Sequence, residues 1–358
     1  MAFRPSSLRQ VCLVLVTAVA LAWVIVHRPR LSVPASGKSV AEAARPRSAE
    51  PVLREIARDK ADYRVTMEQL RSGRIPRLSR AEVDAYLAKQ GRSAGSLLVG
   101  YRFCQDLALL REAAKVAPED SAVQLELSLR GENLEERSAA VEAFRKSSPG
   151  NSLGDYLAVH VSFEKGDFVG AAGALLSSLG SDTLADYSQQ IARGAEEAYA
   201  DAGYDPVAAK VAATALLVSD RQPQVEAMRN VGQGLGQLRD ELIKVGDFEA
   251  VEPTVLAGQT LGQRLNEQSP YLIDQMVGIG IEKSFLEQLD PETLVGANGA
   301  TVATRLAEID ARSTEIRDLV QTAQSIVNLP SAQADRYVDI ARRDGELAAL
   351  RWLKSQAK

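Results

Sequence analysis

Glu112-Ala-Ala-Lys-Val-Ala-Pro118-Glu-Asp-Ser-Ala-Val123 returns, loosely, as Glu142-Ala-Phe-Arg-Lys-Ser-Ser-Pro149-Gly-Asn-Ser-Leu153, with the two prolines 31 residues apart. In each copy a helix-forming run is stopped by proline, and small polar residues then open the next helix. The second copy holds one more residue before its proline, so the period is uneven. Around this pair, residues 106–180 read as five short helices laid end to end as hairpins. A helical unit of this length cannot bury its apolar side alone, so it stacks on its neighbours. The fold this predicts is all-α, an irregular solenoid.

The pattern extends in both directions. On the N-terminal side, Ser79 and Glu82 fit a capping box, and Leu78 with Val83 fits a hydrophobic staple. Gly91 supplies a stop. A helix over 94–104 presents Leu97, Leu98, Tyr101 and Phe103, and Asp106 caps another that carries Leu107, Leu110, Ala114 and Val116. On the C-terminal side, Ser121 opens a helix ending near Gly131, and 134–147 is closed by Pro149-Gly150. The helix over 153–164 turns at Gly166-Asp167 into 168–179.

Asp182 or Thr183 then begins a helix to about Ala202. Asp205-Pro206, Ser269-Pro270 and Asp290-Pro291 each read as an N-cap followed by proline at the first helical position. A longer helix covers 222–245. After it, Gly246-Asp-Phe248 repeats Gly166-Asp-Phe168 eighty residues on. No segment shows sustained period-two alternation bounded by turns, so residues 51–358 are expected to contain no β-sheet.

The last segment changes character. Val302, Leu306, Ile309, Ser313, Ile316, Val320, Ala323 and Val327 alternate by four and three, a coiled-coil seam. Pro330-Ser331 stops it and starts a final helix with Tyr337, Val338, Ala341, Leu347 and Trp352. The short turn predicts a C-terminal antiparallel hairpin over 296–358, following a helical-repeat body over 51–295.

The N-terminus is set apart. Val11 to Val26 is sixteen residues without a charge, about 24 Å of helix at 1.5 Å per residue. With flanking residues snorkelling it reads as one transmembrane helix. Cleavage after Ala22 is the competing reading, but the apolar run continues through Trp23-Val-Ile-Val26. An uncleaved anchor over 1–28 is expected, with the body outside the cytoplasm. Pro29, Pro34 and Pro46 mark 29–50 as a linker. Beyond it, Arg71, Arg74, Arg77 and Arg80 recur every third residue. Gly73 and Pro76 break any helix that would align them, so a solvated turn is expected.

Composition excludes several classes. The first fifty residues hold seven Lys/Arg and two Asp/Glu, so the remainder carries a net charge of −10. An acidic body repels a phosphate backbone, which argues against nucleic acid as a partner. Aromatics are 5% of the chain, so small apolar residues carry the burial. Cys12 and Cys104 make no disulfide framework.

The chain has no phosphate loop, no His-Glu-x-x-His and no Cys-x-x-Cys. Gly232, Gly234 and Gly236 lack the strand and the third glycine of a dinucleotide fingerprint, and predict helix packing. Gly258 and Gly262 predict a close helix neighbour. His160 and Glu164 stand at i, i+4, too few ligands for a metal. Glu135-Glu136 and Glu196-Glu197 diverge on helices. No catalytic, cofactor-binding or metal-binding residue is assigned.

Residues 79–180 resemble tetratricopeptide-like helical repeats: Leu153-Gly-Asp-Tyr156-Leu-Ala, Gly166-Asp-Phe168 and Ala171-Ala172 have that hairpin's spacing. More closely, Leu78-Ser-Arg-Ala-Glu-Val-Asp-Ala-Tyr-Leu, Ser96-Leu-Leu, Leu110-Arg-Glu-Ala-Ala, Pro118-Glu-Asp-Ser-Ala-Val-Gln-Leu and Leu272-Ile-Asp-Gln-Met-Val-Gly-Ile-Gly-Ile281 resemble a set of uncharacterised bacterial membrane-anchored helical proteins. The resemblance covers most of 78–295 and implies a fold without an activity. It departs from the standard repeat in its uneven periods and in lacking an early Trp.

Together these readings lead to a non-enzymatic, membrane-anchored scaffold that binds a protein or peptide on the extended concave face such stacks present. The alternative is a structural envelope protein self-associating through 302–327.

Overall fold

The computed structural model describes residues 62–295 and 299–356. The anchor and the linker lie outside the described residues, as does the start of the body. No described helix is long and apolar enough to cross a membrane.

The regular structure of the described chain is α-helical apart from one 3-10 turn, Ile326–Asn328, and one small hairpin. Its helices are α1 (Tyr63–Arg71), α2 (Arg80–Lys89), α3 (Ala94–Cys104), α4 (Leu107–Val116), α5 (Ser121–Arg130), α6 (Leu134–Ser147), α7 (Ser152–Lys165) and α8 (Phe168–Leu179). Then follow α9 (Ser188–Asp201), α10 (Pro206–Ser219), α11 (Gln222–Val245), α12 (Phe248–Gln268), α13 (Leu272–Leu286), α14 (Val302–Ala323), α15 (Ser331–Asp344) and α16 (Glu346–Gln356). Local chemistry sets the boundaries. Ser79 and Glu82 form the full capping box of α2, and the staple residues Leu78 and Val83 are both buried. Asp106, Asp120, Asn151, Asp167, Asp205 and Asp247 accept backbone N–H bonds at the helix starts they cap.

Consecutive helices pack as hairpins from α2 to α8, the arrangement a stack of short units requires. In this stack α3, α5 and α7 are buried along most of their length. The later helices cover them. Helix α9 packs on α3, and α11 packs on both α5 and α7. Helices α3, α5 and α7 are therefore covered by the chain's own second half. The physical reason lies in residues the periodicity could not assign. Arg102 of α3 and Arg130 of α5 both reach Asp220, at the corner between α10 and α11, and both also pair with Glu126. Next to them Arg221 pairs with Asp186 and Asp274 and lies 3.7 Å from the centre of the Tyr271 ring. Buried charges persist where each finds a partner, and these pairs join segments up to 118 residues apart.

Three of the expected boundaries differ. The helix predicted from Asp182 or Thr183 starts at Ser188, because Thr183 is bridged to Asn151 and its carbonyl accepts from Ser152. Ser269-Pro270 and Asp290-Pro291 do not open helices. Helix α13 begins at Leu272, and the Asp290 carbonyl accepts from Thr293 in a turn that leads into a strand. That strand corrects the expectation of no sheet: Leu294–Val295 pairs antiparallel with Ala300–Thr301. A two-residue strand leaves no periodicity to read.

The C-terminal seam is buried at Val302, Ile309, Ile316, Val320 and Ala323, with the covering surface supplied by α13 and α16. The partner within the hairpin differs from the simple expectation. Gly345, at φ 90°, splits the final helix in two. Helix α15 packs on α10 and α16, while α16 lies along α14.

Candidate docking surface at two matching turns

The repeated Gly-Asp-Phe tripeptide builds the same corner twice. Gly166 and Gly246 take left-handed backbone angles, φ 71° and 77°, that side-chain-bearing residues rarely adopt. Each ends its helix by donating its N–H to a carbonyl three residues back. Asp167 and Asp247 then cap the next helix through the N–H groups of Gly170 and Ala250. With the aspartate turned to the backbone, the following phenylalanine points outward. Phe168 is 61% exposed and Phe248 69%.

Both turns lie at one end of a helix pair. Arg264 of α12 donates to the carbonyls of Ser178 and Ser181 beside α8, and Gln268 donates to Asp182. These contacts bring the C-terminal part of α12 to the end of α8, so the two helices run side by side in the same direction from their turns. Phe163 links the two hairpins: its ring meets Phe168 at a centroid distance of 6.3 Å and fills the space where Gly234 of α11 has no side chain.

Across the described residues the large exposed apolar side chains are Val116, Phe168, Val169, Leu176, Ile243, Val245, Phe248, Leu256 and Leu294. Seven of these nine fall in 168–176 or 243–256. Helix α8 contributes a face with no charged residue, Phe-Val-Gly-Ala-Ala-Gly-Ala-Leu-Leu-Ser-Ser-Leu. Concentrated exposure of this kind marks an interaction surface, whereas scattered apolar residues do not. Acidic side chains outnumber basic ones on its border, where Lys165 donates to Ser138 and Lys244 pairs with Glu241. Asp167, Asp247, Glu249 and Glu252 are all exposed, and no ion pair engages them among the described residues.

The other sequence candidates sort into packing roles. His160 Nε2 lies 3.3 Å from Glu164, and burial holds the imidazole below its ordinary value despite that carboxylate. Glu164 is also paired to Arg137. Among the described residues no group of three or more His, Cys, Asp or Glu is placed to hold a metal ion. Gly232 faces Ile281 and Gly234 faces Phe163, as helix packing requires, while Gly236 faces open space. Gly258 and Gly262 admit Phe285 and the backbone of Glu282, and Gly278 lies on the Gly262 carbonyl. These three glycines bring α12 and α13 together more closely than any side chain would permit.

The arginine series does not converge. Arg71 donates to the Val327 carbonyl, Arg77 to Phe103, and Arg80 pairs with Asp84 and Asp106. Burial pushes the Cys104 thiol up, away from thiolate reactivity. The signal for the surface was in the sequence as the repeated tripeptide. Its exposure depends on the register of α8 and α12, which the sequence does not state. No family model, curated protein or solved structure matches the chain.

Proposed function

We propose that this protein is a non-enzymatic, membrane-anchored scaffold that binds another protein, and that the two Gly-Asp-Phe corners form its docking surface. The observation that carries the reading is the gathering of seven exposed apolar side chains on α8, α12 and the tip between α11 and α12. Helices α9 and α11 cover the faces of α3, α5 and α7 they pack on, which favours binding at the exposed corners. The acidic border favours a partner that sets Lys or Arg around apolar anchors, since like charge there would oppose docking. Anchoring by residues 11–26, with the body outside the cytoplasm, completes the proposal and rests on the sequence.

Self-association through 302–327 draws less support, because the apolar positions of that seam are covered by α13 and α16. The test is the double substitution Phe168→Asp with Phe248→Asp in the full chain, followed by native-membrane purification. Both side chains are exposed, so helix content by circular dichroism should be unchanged while a co-purifying protein is lost. Retention of the same proteins by the double variant would contradict the assignment.

A further inference from the structure

A cavity of ≈ 90 Å³ lies where α1, α10, α13, α14, α15 and α16 meet. Met67, Leu70, Val211, Val320, Val338 and Leu350 form its apolar walls, and all six are buried. Val218 and Ile326 are partly exposed lining residues and give a route in. Three lining side chains carry oxygen: Thr214, Tyr337 and Glu346. Thr214 is committed, donating to the Lys210 carbonyl and accepting from Arg342. Glu346 accepts the Leu272 N–H with one carboxyl oxygen at 2.8 Å. No lysine or arginine lines the space. The nearest guanidinium acting on Glu346, Arg221, is already held by Asp186 and Asp274.

We propose that this cavity binds a small primary amine, its hydrocarbon part against the apolar walls and its ammonium on Glu346 and Tyr337. Glu346 is partly buried and has no ion-pair partner among the described residues; a carboxylate so placed is costly, and an ammonium supplies the missing charge together with three donors. Carboxylic acids are disfavoured by repulsion from Glu346, and sugars or polyols find walls that cannot accept their hydrogen bonds. An engineered apolar cavity of about 150 Å³ takes benzene, so this one suits a hydrocarbon part of about four carbon atoms. Burial pushes Glu346 up to about 7 and also raises Tyr337, which senses the Glu346 charge. Binding at pH 7 therefore draws a proton off Glu346. The other groups acting on it are Arg221 and Asp274, which are paired to each other.

The experiment is calorimetric titration of the full chain at pH 7 with n-butylammonium, n-butanol and n-butyrate at matched ionic strength. Butylammonium should saturate one site at least tenfold more tightly than butanol, with butyrate showing no binding. Repeating the titration in buffers of different ionisation enthalpy should show proton release. Glu346→Gln keeps the cavity's shape and should lose the tenfold preference and the proton release while leaving butanol binding unchanged. Ala334→Leu fills the space and should abolish both. Equal affinity for amine and alcohol, no binding of butylammonium, or an unaltered preference in Glu346→Gln would overturn the proposal.

Discussion

Asp220→Ala should destabilise the protein by about 3–5 kcal/mol, the usual cost of removing one partner from a buried charge pair. Asp220 serves two guanidinium groups, Arg102 and Arg130, whose side chains are 9% and 11% exposed. After the substitution Glu126 alone remains for both. A unit pair at about 3 Å with an effective dielectric of about 20 is worth about 5 kcal/mol before desolvation is counted. Arg130 keeps its bond to the backbone carbonyl of residue 220, which moderates the loss. The control is Glu112→Ala. Its partner Arg92 lies at 2.6 Å, yet these two side chains are 39% and 45% exposed, and such pairs contribute at most about 1 kcal/mol. Urea unfolding followed by far-ultraviolet circular dichroism measures both. If Asp220→Ala costs no more than Glu112→Ala, the charges do not pin the second half of the chain into the first stack.

Four further outcomes follow from other contacts. Gly236→Ala, in open space within α11, should stabilise by about 0.5–1 kcal/mol. Gly262→Ala, whose new methyl would lie 2.4 Å from the Glu282 backbone nitrogen, should destabilise by about 1–3 kcal/mol or more; thermal melting compares them. Ile316→Asp puts a charge into the covered seam and should cost about 4 kcal/mol or more without changing the molecular size in light scattering, whereas a dimer falling to a folded monomer would restore self-association. Glu346 binds a proton more tightly folded than unfolded, so its contribution is full below about pH 4.5 and is lost as pH rises to about 7. The shift corresponds to about 3 kcal/mol. Glu346→Gln should therefore gain up to that amount over the parent between pH 5 and pH 8 in denaturant titrations, and an equal pH slope in both proteins would refute the assignment.

Helix starts were legible wherever a side chain accepts a backbone N–H locally, as at Ser79, Asp106 and Asp205. The C-terminal seam was legible for the same reason: seven apolar positions at one spacing report a buried stripe whatever covers it. What covers it was not, because Gly345 breaks the last helix and sends its second half onto α14. Thr183 read as a cap and became the partner of Asn151, thirty-two residues away, a non-local contact that overrides local preference. The packing of α9 and α11 onto the first stack was hidden for a similar reason. Arg102, Glu126 and Asp220 each look like ordinary surface charges until the fold brings them together. The docking surface was half visible, since the twin Gly-Asp-Phe corners can be read from the chain while their side-by-side placement cannot.

The central claim is that the two corners meet one partner. Replacing Phe168 and, separately, Phe248 with a photo-crosslinking phenylalanine in cells, beside an exposed control at Arg343, tests it most directly. One adduct of the same mass from both corners, absent at position 343, is the predicted result. No adduct at either corner, or the same adduct from all three positions, would contradict it.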